Sequence, residues 1–490
     1  MVSPPNSVVP DLVSYGACIK QPPAAKFEVM NRGLKMDKSA LSSWADSWAR
    51  KHPDIESFRG IIFDINGVAR GKRLPLSQLA KICSGGMRIP LSSANVDIWG
   101  RDIEGSKWVF ETGDSDGRCE WTGRGPLIMP WSDRSAAIVP LVLYNEDKTP
   151  FDGDARNVLA AILDRFETLR LRPVPAFELE FYLADPKAVD GALSNPLTGA
   201  AVIRDGVLSL DDLENFEAIL SDIYDACKIQ SVAADAAISE SGIGQFEVNL
   251  RHNEDAMKVA DDAMLFKNIV KSVARKHGLA ASFMAKPFAD RPGNGLHMHF
   301  SILDSNGANI FDNGDAEGSV MLHHAVAGVL AAMPESMLFF APHLNSYRRL
   351  TPEQHAPMVA CWGYENRTAA VRIPGGPPSQ RRIEHRVAGA DTNAYLVMAA
   401  ILGAVLCGIE GKMQPPSPIK SSAYNSDHAH MATLPTSWQD SLDIFVSGKM
   451  LDEYIPDILR DMVIKTKKQE MKRFSALVTP FEYQSYLDQV

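Results

Sequence analysis

Residues 176–183 read AFELEFYL, with Glu178 and Glu180 two positions apart in an otherwise apolar run. Alternate side chains of a β-strand share a face, so these carboxylates project together while Phe177, Leu179 and Phe181 pack behind them. Such a pair stands roughly 6.5–7 Å apart, which suits one metal ion each if other strands supply the remaining ligands. Taken alone, Glu-x-Glu more often marks a solvated strand face. Three further clusters change that reading. In ISESGIGQFEVNL, Glu240 precedes a glycine-broken turn, Glu247 sits on the strand that follows, and Asn249 shares its face. In GNGLHMHFS, a glycine-rich loop permits close backbone approach and delivers His297, His299 and Ser301 at alternate positions. RRIEHRV places Glu384 among Arg381, Arg382 and Arg386, and Arg349, Arg367 and Arg372 lie shortly before it. A lone strand histidine is usually a satisfied core or surface residue, and arginine-rich stretches are usually solvated. Together, Glu178, Glu180, Glu240, Glu247, Glu384 and His297 make a hard, oxygen-dominated ligand set, suited to Mg²⁺ or Mn²⁺ rather than zinc. Arginines beside divalent cations are what phosphoryl transfer requires, because the charge of the moving phosphate must be neutralised.

These residues need strands to carry them and helices behind the strands. From Gly153 the pattern turns to amphipathic helices alternating with strands, beginning with Val158, Leu159, Ile162, Leu163, Phe166 and Leu169 on one helix face. That helix leads into the Glu178 strand. Further helices are predicted over 211–228, 255–277 (closed by Gly278), 319–340, 391–410 and 451–475, and strands over 245–250, 280–285, 296–303 and 369–373. Residues 36–145 read as a smaller, turn-rich α+β unit. It opens with a helix over 36–50, Asp37 as its cap and Leu41, Trp44 and Trp48 at helical spacing. FRGIIFDINGVARGKRL then gives a strand, the Asn66-Gly67 hairpin signal and a second strand. Residues 1–35 carry scattered prolines and no periodicity, and read as an N-terminal arm. The division is an arm over 1–35, a first unit over 36–145 and a second over 146–490, α+β in class.

A chain of 490 residues fits two units with a large core. A net charge of −10 argues against a nucleic-acid-binding surface. The six cysteines are scattered without C-x-x-C spacing, as reduced thiols of a cytoplasmic protein are, which argues against disulfides and zinc. The start lacks a basic stretch followed by an apolar run, and no later segment holds about 18 uninterrupted apolar residues. The expectation is a cytoplasmic protein with neither a membrane nor a nucleic-acid partner.

The segments AFELEFYL, GQFEVNL, GNGLHMHFS, NSYRRL, NRTAAVRIP and RRIEHR, in that order, resemble the glutamine synthetase superfamily in its prokaryotic type I branch. The first unit resembles that family's β-grasp domain, and PFDGDARNVL at the junction is similar to its sequence there. The resemblance implies a β-grasp-like domain followed by a catalytic domain with a curved antiparallel sheet backed by helices. It also implies a homododecamer of two stacked hexameric rings, with sites between subunits and two or more Mg²⁺ or Mn²⁺ ions in each. Residue by residue, Glu180, Glu240 and Glu247 match ligands of the metal near the amino-acid substrate, and Glu178, His297 and Glu384 those of the metal on the nucleotide phosphates. His299 and Ser301 correspond to ATP-side contacts, and Arg382 and Arg386 to phosphate-side arginines. Gly293 falls in the loop that holds glutamate, while Arg349, Arg367 and Arg372 match groups that bind glutamate carboxylates or the transferred phosphate. The implied reaction has two steps. Glutamate's γ-carboxylate attacks ATP to give γ-glutamyl phosphate, and a nitrogen nucleophile then displaces phosphate.

The second nucleophile is where the sequence departs from glutamine synthetases proper. Their loop after the NSYRRL-like motif carries a glutamate that takes a proton from ammonium, and here that position reads His355, in PEQHAP. Glu353, two residues earlier, is the alternative source of a carboxylate. The first-unit aspartate that helps bind ammonium has no counterpart around residues 91–100, where Asp97 is the nearest acid. Two carboxylates attract NH₄⁺ far better than a neutral imidazole, whereas an imidazole can still act as base toward an incoming amine. The expectation is therefore a glutamate–amine ligase acting on an alkylamine, polyamine or ethanolamine, similar to the superfamily's γ-glutamylpolyamine synthetases. The alternatives are glutamine synthetase with a rebuilt ammonium site, and a non-catalytic assembly protein, which would have no need of the six candidate metal ligands. Pro292, just before Gly293, is a further departure, since family members often carry a small or amide residue there.

Overall fold

The computed structural model describes residues 38–188, 192–204, 206–351, 356–424 and 431–490. The expected arm, Asp37, Glu353 and His355 lie outside the described residues. The first helix, α1 (Lys38–Lys51), buries Leu41 and Ala45 and sets Trp44 against Trp121, with ring centroids 4.8 Å apart. The strands β1 (Ser57–Phe63) and β2 (Ala69–Pro75) form the expected antiparallel hairpin, turned at Gly67 with φ +74°. Next come α2 (Leu79–Cys83), β3 (Met87–Pro90), α3 (Lys107–Phe110), β4 (Asp116–Trp121), β5 (Leu127–Ile128) and β6 (Ala136–Tyr144). The first sheet runs β2-β1-β6-β4-β3, with β5 also on β6. Its β1–β6 pair is parallel and the rest are antiparallel. Central β6 is buried along almost its whole length, which is why its sequence, AAIVPLVLY, shows no polar alternation.

The second sheet is reached through α4 (Ala155–Thr168), whose cap Asp154 accepts from the Arg156 amide and, across to β6, from the Leu143 amide, both at 2.9 Å. There follow β7 (Arg172–Ala184), α5 (Leu210–Asn215), α6 (Glu217–Ile229), β8 (Ala234–Ser239), β9 (Gln245–Leu250), α7 (Ala256–Lys276), β10 (Ala280–Ser282) and β11 (Leu296–Leu303). The chain continues with α8 (Val320–Ala332), α9 (Met337–Phe340), β12 (Trp362–Tyr364), β13 (Val371–Ile373), β14 (Ile383–His385), α10 (Ala394–Glu410), α11 (Trp438–Ser447), α12 (Asp457–Ser475) and α13 (Pro480–Tyr486). The sheet order is β12-β13-β14-β11-β7-β9-β8, with β10 also on β7. It is antiparallel as expected, except that β12 and β13 run parallel. Helices α4 and α7 lie behind β7, and α10, apolar on all sides, is packed among α4, α7 and α8.

Several boundaries differ from the sequence expectation for local reasons. The helix expected over 211–228 is two, broken where Phe216 drops into the core against Phe246. The one expected over 319–340 stops at Ala332, ahead of Pro334, and the one expected over 451–475 starts only after Pro456. The strand expected over 280–285 is only Ala280–Ser282. Strands β8, β12 and β14 were not foreseen, because the first is alanine-rich and half-exposed and the other two are three residues each.

Candidate active site

Register alone brings the candidate residues onto one face of the second sheet. Glu178 on β7 pairs with His297 on β11 and with Asn249 on β9, while Glu180 pairs with Glu247 on β9. One row further, His299 pairs with Glu384 on β14, and Glu384 pairs with Arg372 on β13. Ser301 follows His299 on the same face, opposite Val174. The intervening residues Phe177, Leu179, Phe181, Val248, Met298 and Phe300 are buried on the other side. The RRIEHR motif divides in the same way. Glu384 faces the site, whereas His385 packs on Phe340, and burial followed by the His297 charge pushes its imidazole down to about 3.

The polar face is tightly drawn together. His297 Nδ1 lies 3.2 Å from one Glu178 oxygen and His299 Nε2 lies 3.0 Å from the other, while Asn249 Nδ2 donates to Glu178 at 2.8 Å. Both imidazoles also approach Glu384, at 4.0 and 3.9 Å. Arg372 donates to Glu384 at 2.8 Å and Arg386 donates to its other oxygen. Arg382 Nε reaches His299 Nδ1 at 3.4 Å. The Nε atoms of Arg372 and Arg386 are buried without a hydrogen-bond partner among the described residues. Arg349, also buried, donates to the Val387 carbonyl at 2.8 Å and packs against the glycine loop. A Cβ on Gly293 would fall 2.9 Å from its Cγ, and one on Gly295 would fall 3.0 Å from its guanidinium and 3.3 Å from both Glu180 and His297. The 293–295 backbone therefore lies directly against the site.

The electrostatics suit a cation. Burial tends to raise the Glu178 carboxyl, but the His297 and His299 imidazoles hold it well below the ordinary range. For the neighbouring acids, the charges of Arg386 near Glu247 and Arg367 near Glu240 offset only part of the rise. Glu247 is pushed up to about 9 by burial and then by the charges of Glu178, Glu180 and Glu240, and Glu240 up to about 7 by burial and then by Glu180. Crowded carboxylates that resist ionising beside one another are what a hard divalent cation would neutralise. Glu178, Glu247 and His297 bring one donor atom each within 4.8 Å of one another, and so do Glu178, His299 and Glu384. These two clusters share Glu178 and cut across the ligand sets implied by the resemblance: His297 groups with Glu178 and Glu247, and His299 rather than His297 groups with Glu178 and Glu384. Glu180 and Glu240 stand just outside these clusters, Glu180 accepting from the Gly295 amide at 2.7 Å.

Other candidates are placed elsewhere. Arg381 turns away from Glu384 and donates to the Ala316 and Asp315 carbonyls. Arg367 is exposed on the segment between β12 and β13, and its charge offsets part of the rise at Glu240. Asp97 is fully buried and accepts from the Trp99 and Arg101 amides and from Gln469 of α12, which makes it part of the scaffold. Sequence reasoning missed Gln245, although the alternation that carries Glu247 and Asn249 includes it. Gln245 Nε2 donates to the Gly293 carbonyl at 3.0 Å and to Asn294 at 2.9 Å.

A sheet presenting carboxylates, histidines and arginines on one face and backed by helices has the donors that an enzyme handling metal ions and phosphates needs. Residues 152–486 match the family described as glutamine synthetase, catalytic domain. Gamma-glutamylputrescine synthetase PuuA of Escherichia coli (strain K12) is 34% identical over 453 residues, covering 91% of this chain and 94% of that protein. Glutamate–isopropylamine ligase of a Pseudomonas species is 30% identical over 443 residues, covering 89% and 96%. Glutamine synthetase of Pyrococcus horikoshii is 31% identical over 428 residues, covering 87% and 89%. A solved structure described as apo GmaS without ligand superposes with a TM-score of 0.78 at 27% identity, covering 90% of this chain and 99% of that one. The chain belongs to the glutamine synthetase family of ligases. Membership implies the use of ATP and a divalent metal, and the donor set described above fits both. No helix among the described residues is long and apolar enough to cross a membrane.

Proposed function

We propose that this chain joins the γ-carboxylate of glutamate to a primary amine, an alkylamine, polyamine or ethanolamine, through γ-glutamyl phosphate formed from ATP. The observation that carries the reading is the convergence of Glu178, Glu247, His297 and Glu384 with Arg372 and Arg386 on one sheet face. Relatives named for putrescine and isopropylamine ligation, and the histidine at 355, support an amine as the second nucleophile. Similarity to glutamine synthetase favours ammonium as the second reading.

Glu180, Glu240 and Glu247 would hold one cation and Glu178, His297 and Glu384 another. Mg²⁺ or Mn²⁺ bound there supplies charge neutralisation for the phosphates. Arg372 and Arg386 meet the phosphoryl group with their unpaired Nε donors, and Arg382, His299 and Ser301 orient the nucleotide. Arg349 and the Gly293 loop orient glutamate, and Arg367 at the rim contributes positive charge toward its γ-carboxylate. His355 takes the proton from the incoming amine. Excluding water at this stage protects the acyl phosphate. The division into an arm (1–35), a β-grasp-like unit (36–145) and a catalytic unit (146–490), a cytoplasmic location and a homododecamer with shared sites belong to the same reading. Ligation with ¹⁸O in the γ-carboxylate tests it. One ¹⁸O should appear in the released phosphate, and unlabelled phosphate would rule out the acyl-phosphate route.

A further inference from the structure

On the site face of the second sheet the cross-strand rows Glu178–Asn249 and Glu180–Glu247 are followed by a third, Tyr182–Gln245. Both members are buried, and both direct polar atoms at the same loop. Tyr182 Oη donates to the Pro292 carbonyl at 2.9 Å, and Gln245 Nε2 donates to the Gly293 carbonyl at 3.0 Å and to Asn294 Oδ1 at 2.9 Å. Three consecutive loop residues are therefore held from one row of the sheet. Gln245 Oε1 also accepts from the Gly242 amide at 3.0 Å, which ties the loop to the turn that carries Glu240. Gly242 is required there, because a Cβ would lie 1.9 Å from Tyr182 Oη. Proline at 292 has no N–H, so its backbone is anchored through the carbonyl that Tyr182 holds. Just beyond, the Gly295 amide donates to Glu180 at 2.7 Å, so a shift of the loop moves a group at the site itself.

We propose that Tyr182 and Gln245 are positioning residues that set the affinity for glutamate by fixing residues 292–294, without touching the substrate. The inference rests on the reading of the Gly293 loop as the glutamate-binding loop. Misplacing such a loop weakens binding of one substrate and leaves the other, held by other elements, alone.

Tyr182→Phe is the discriminating variant, since it keeps the ring and its edge-on contact with Phe288 and removes only the donor. Glutamate affinity is measured twice with the full-length protein, by calorimetry with Mn²⁺ and no amine, and as KM in turnover. Tyr182→Phe should raise both the Kd and the KM for glutamate roughly three- to tenfold, the worth of one hydrogen bond, and change the KM for ATP less than about twofold. Gln245→Leu, which loses both donors without adding a carboxyl beside Glu180, should weaken glutamate further. Unchanged glutamate binding in Tyr182→Phe would overturn the proposal, as would a parallel loss of ATP affinity and melting temperature, the sign of a merely structural role. Because calorimetry needs no turnover, a protein that binds glutamate but ligates no amine would refute the reaction and leave the positioning role to stand on the binding data. A wild type that binds no glutamate would overturn both.

Discussion

Glu384 and His385 are neighbours in sequence with opposite surroundings. One is clasped by Arg372 and Arg386 on the site face, and the other is an uncharged ring against Phe340. Which acids and bases belong to the site is thus a matter of strand phase, and phase was legible in the sequence wherever apolar residues alternated, as at Glu178, Glu247 and His297. What was not legible is which groups touch across distant strands. The approach of His299 to Glu178 and the grip of Tyr182 on Pro292 depend on register between segments separated by more than a hundred residues. At this scale two predictions apply. Glu178→Ala and Glu384→Ala should each reduce glutamyl-phosphate formation and amide formation together, by more than about a hundredfold, because each donor serves from the first phosphoryl transfer onward. Retained formation of either product would refute the metal assignment. His355→Ala should instead slow only the amine-dependent step, read as ADP release that no longer responds to amine; equal loss in both steps would place His355 elsewhere.

Among the elements, α7 carries an unusual group. Lys267 is buried where it faces the Thr392 carbonyl, and burial, followed by the Lys271 charge, pushes its ammonium down to about 7 from 10.5. Between those values the unfolded chain holds a proton that the folded chain has released. Stability at this residue therefore rises with pH across that window, and the full destabilisation is present below it. Lys267→Met should flatten the slope of unfolding free energy between pH 7 and 10.5, measured by denaturant titration. An undiminished slope would mean that other groups carry it. The long periodic helices α4 and α7 were readable because one face of each is apolar. The helix break at Phe216 was not, since it reflects core packing, whereas the stop at Ala332 falls just before Pro334, a breaker the sequence displays.

For the whole molecule, the C-terminal helix α12 closes over the first unit. Lys467 donates to Asn66 of the β1–β2 turn at 2.8 Å and to Glu470 at 2.9 Å, Glu470 accepts from the Ile98 amide at 2.8 Å, and Asn95 donates to Thr466 at 2.8 Å. Nothing in the local sequence of α12 announces this, because its partners lie 371 to 401 residues earlier. Glu470→Ala would leave Lys467 buried beside one neutral partner, and should lower stability by about 3 kcal/mol. The check is the denaturation midpoint, and an unchanged midpoint would show that the contact is not coupled to folding. If the proposed double ring forms, light scattering should give about twelve times the 53.6 kDa chain mass.

The central claim is that an amine, not ammonium, receives the glutamyl group. Purified protein with glutamate, ATP and Mg²⁺ should be offered ammonium, alkylamines, diamines, polyamines and ethanolamine in parallel, with phosphate release timed and the product weighed by mass spectrometry. The account predicts that one amine class gives the γ-glutamylamide at the highest kcat/KM, with ammonium far behind. Glutamine as the principal product, with every amine slower than ammonium, would contradict it.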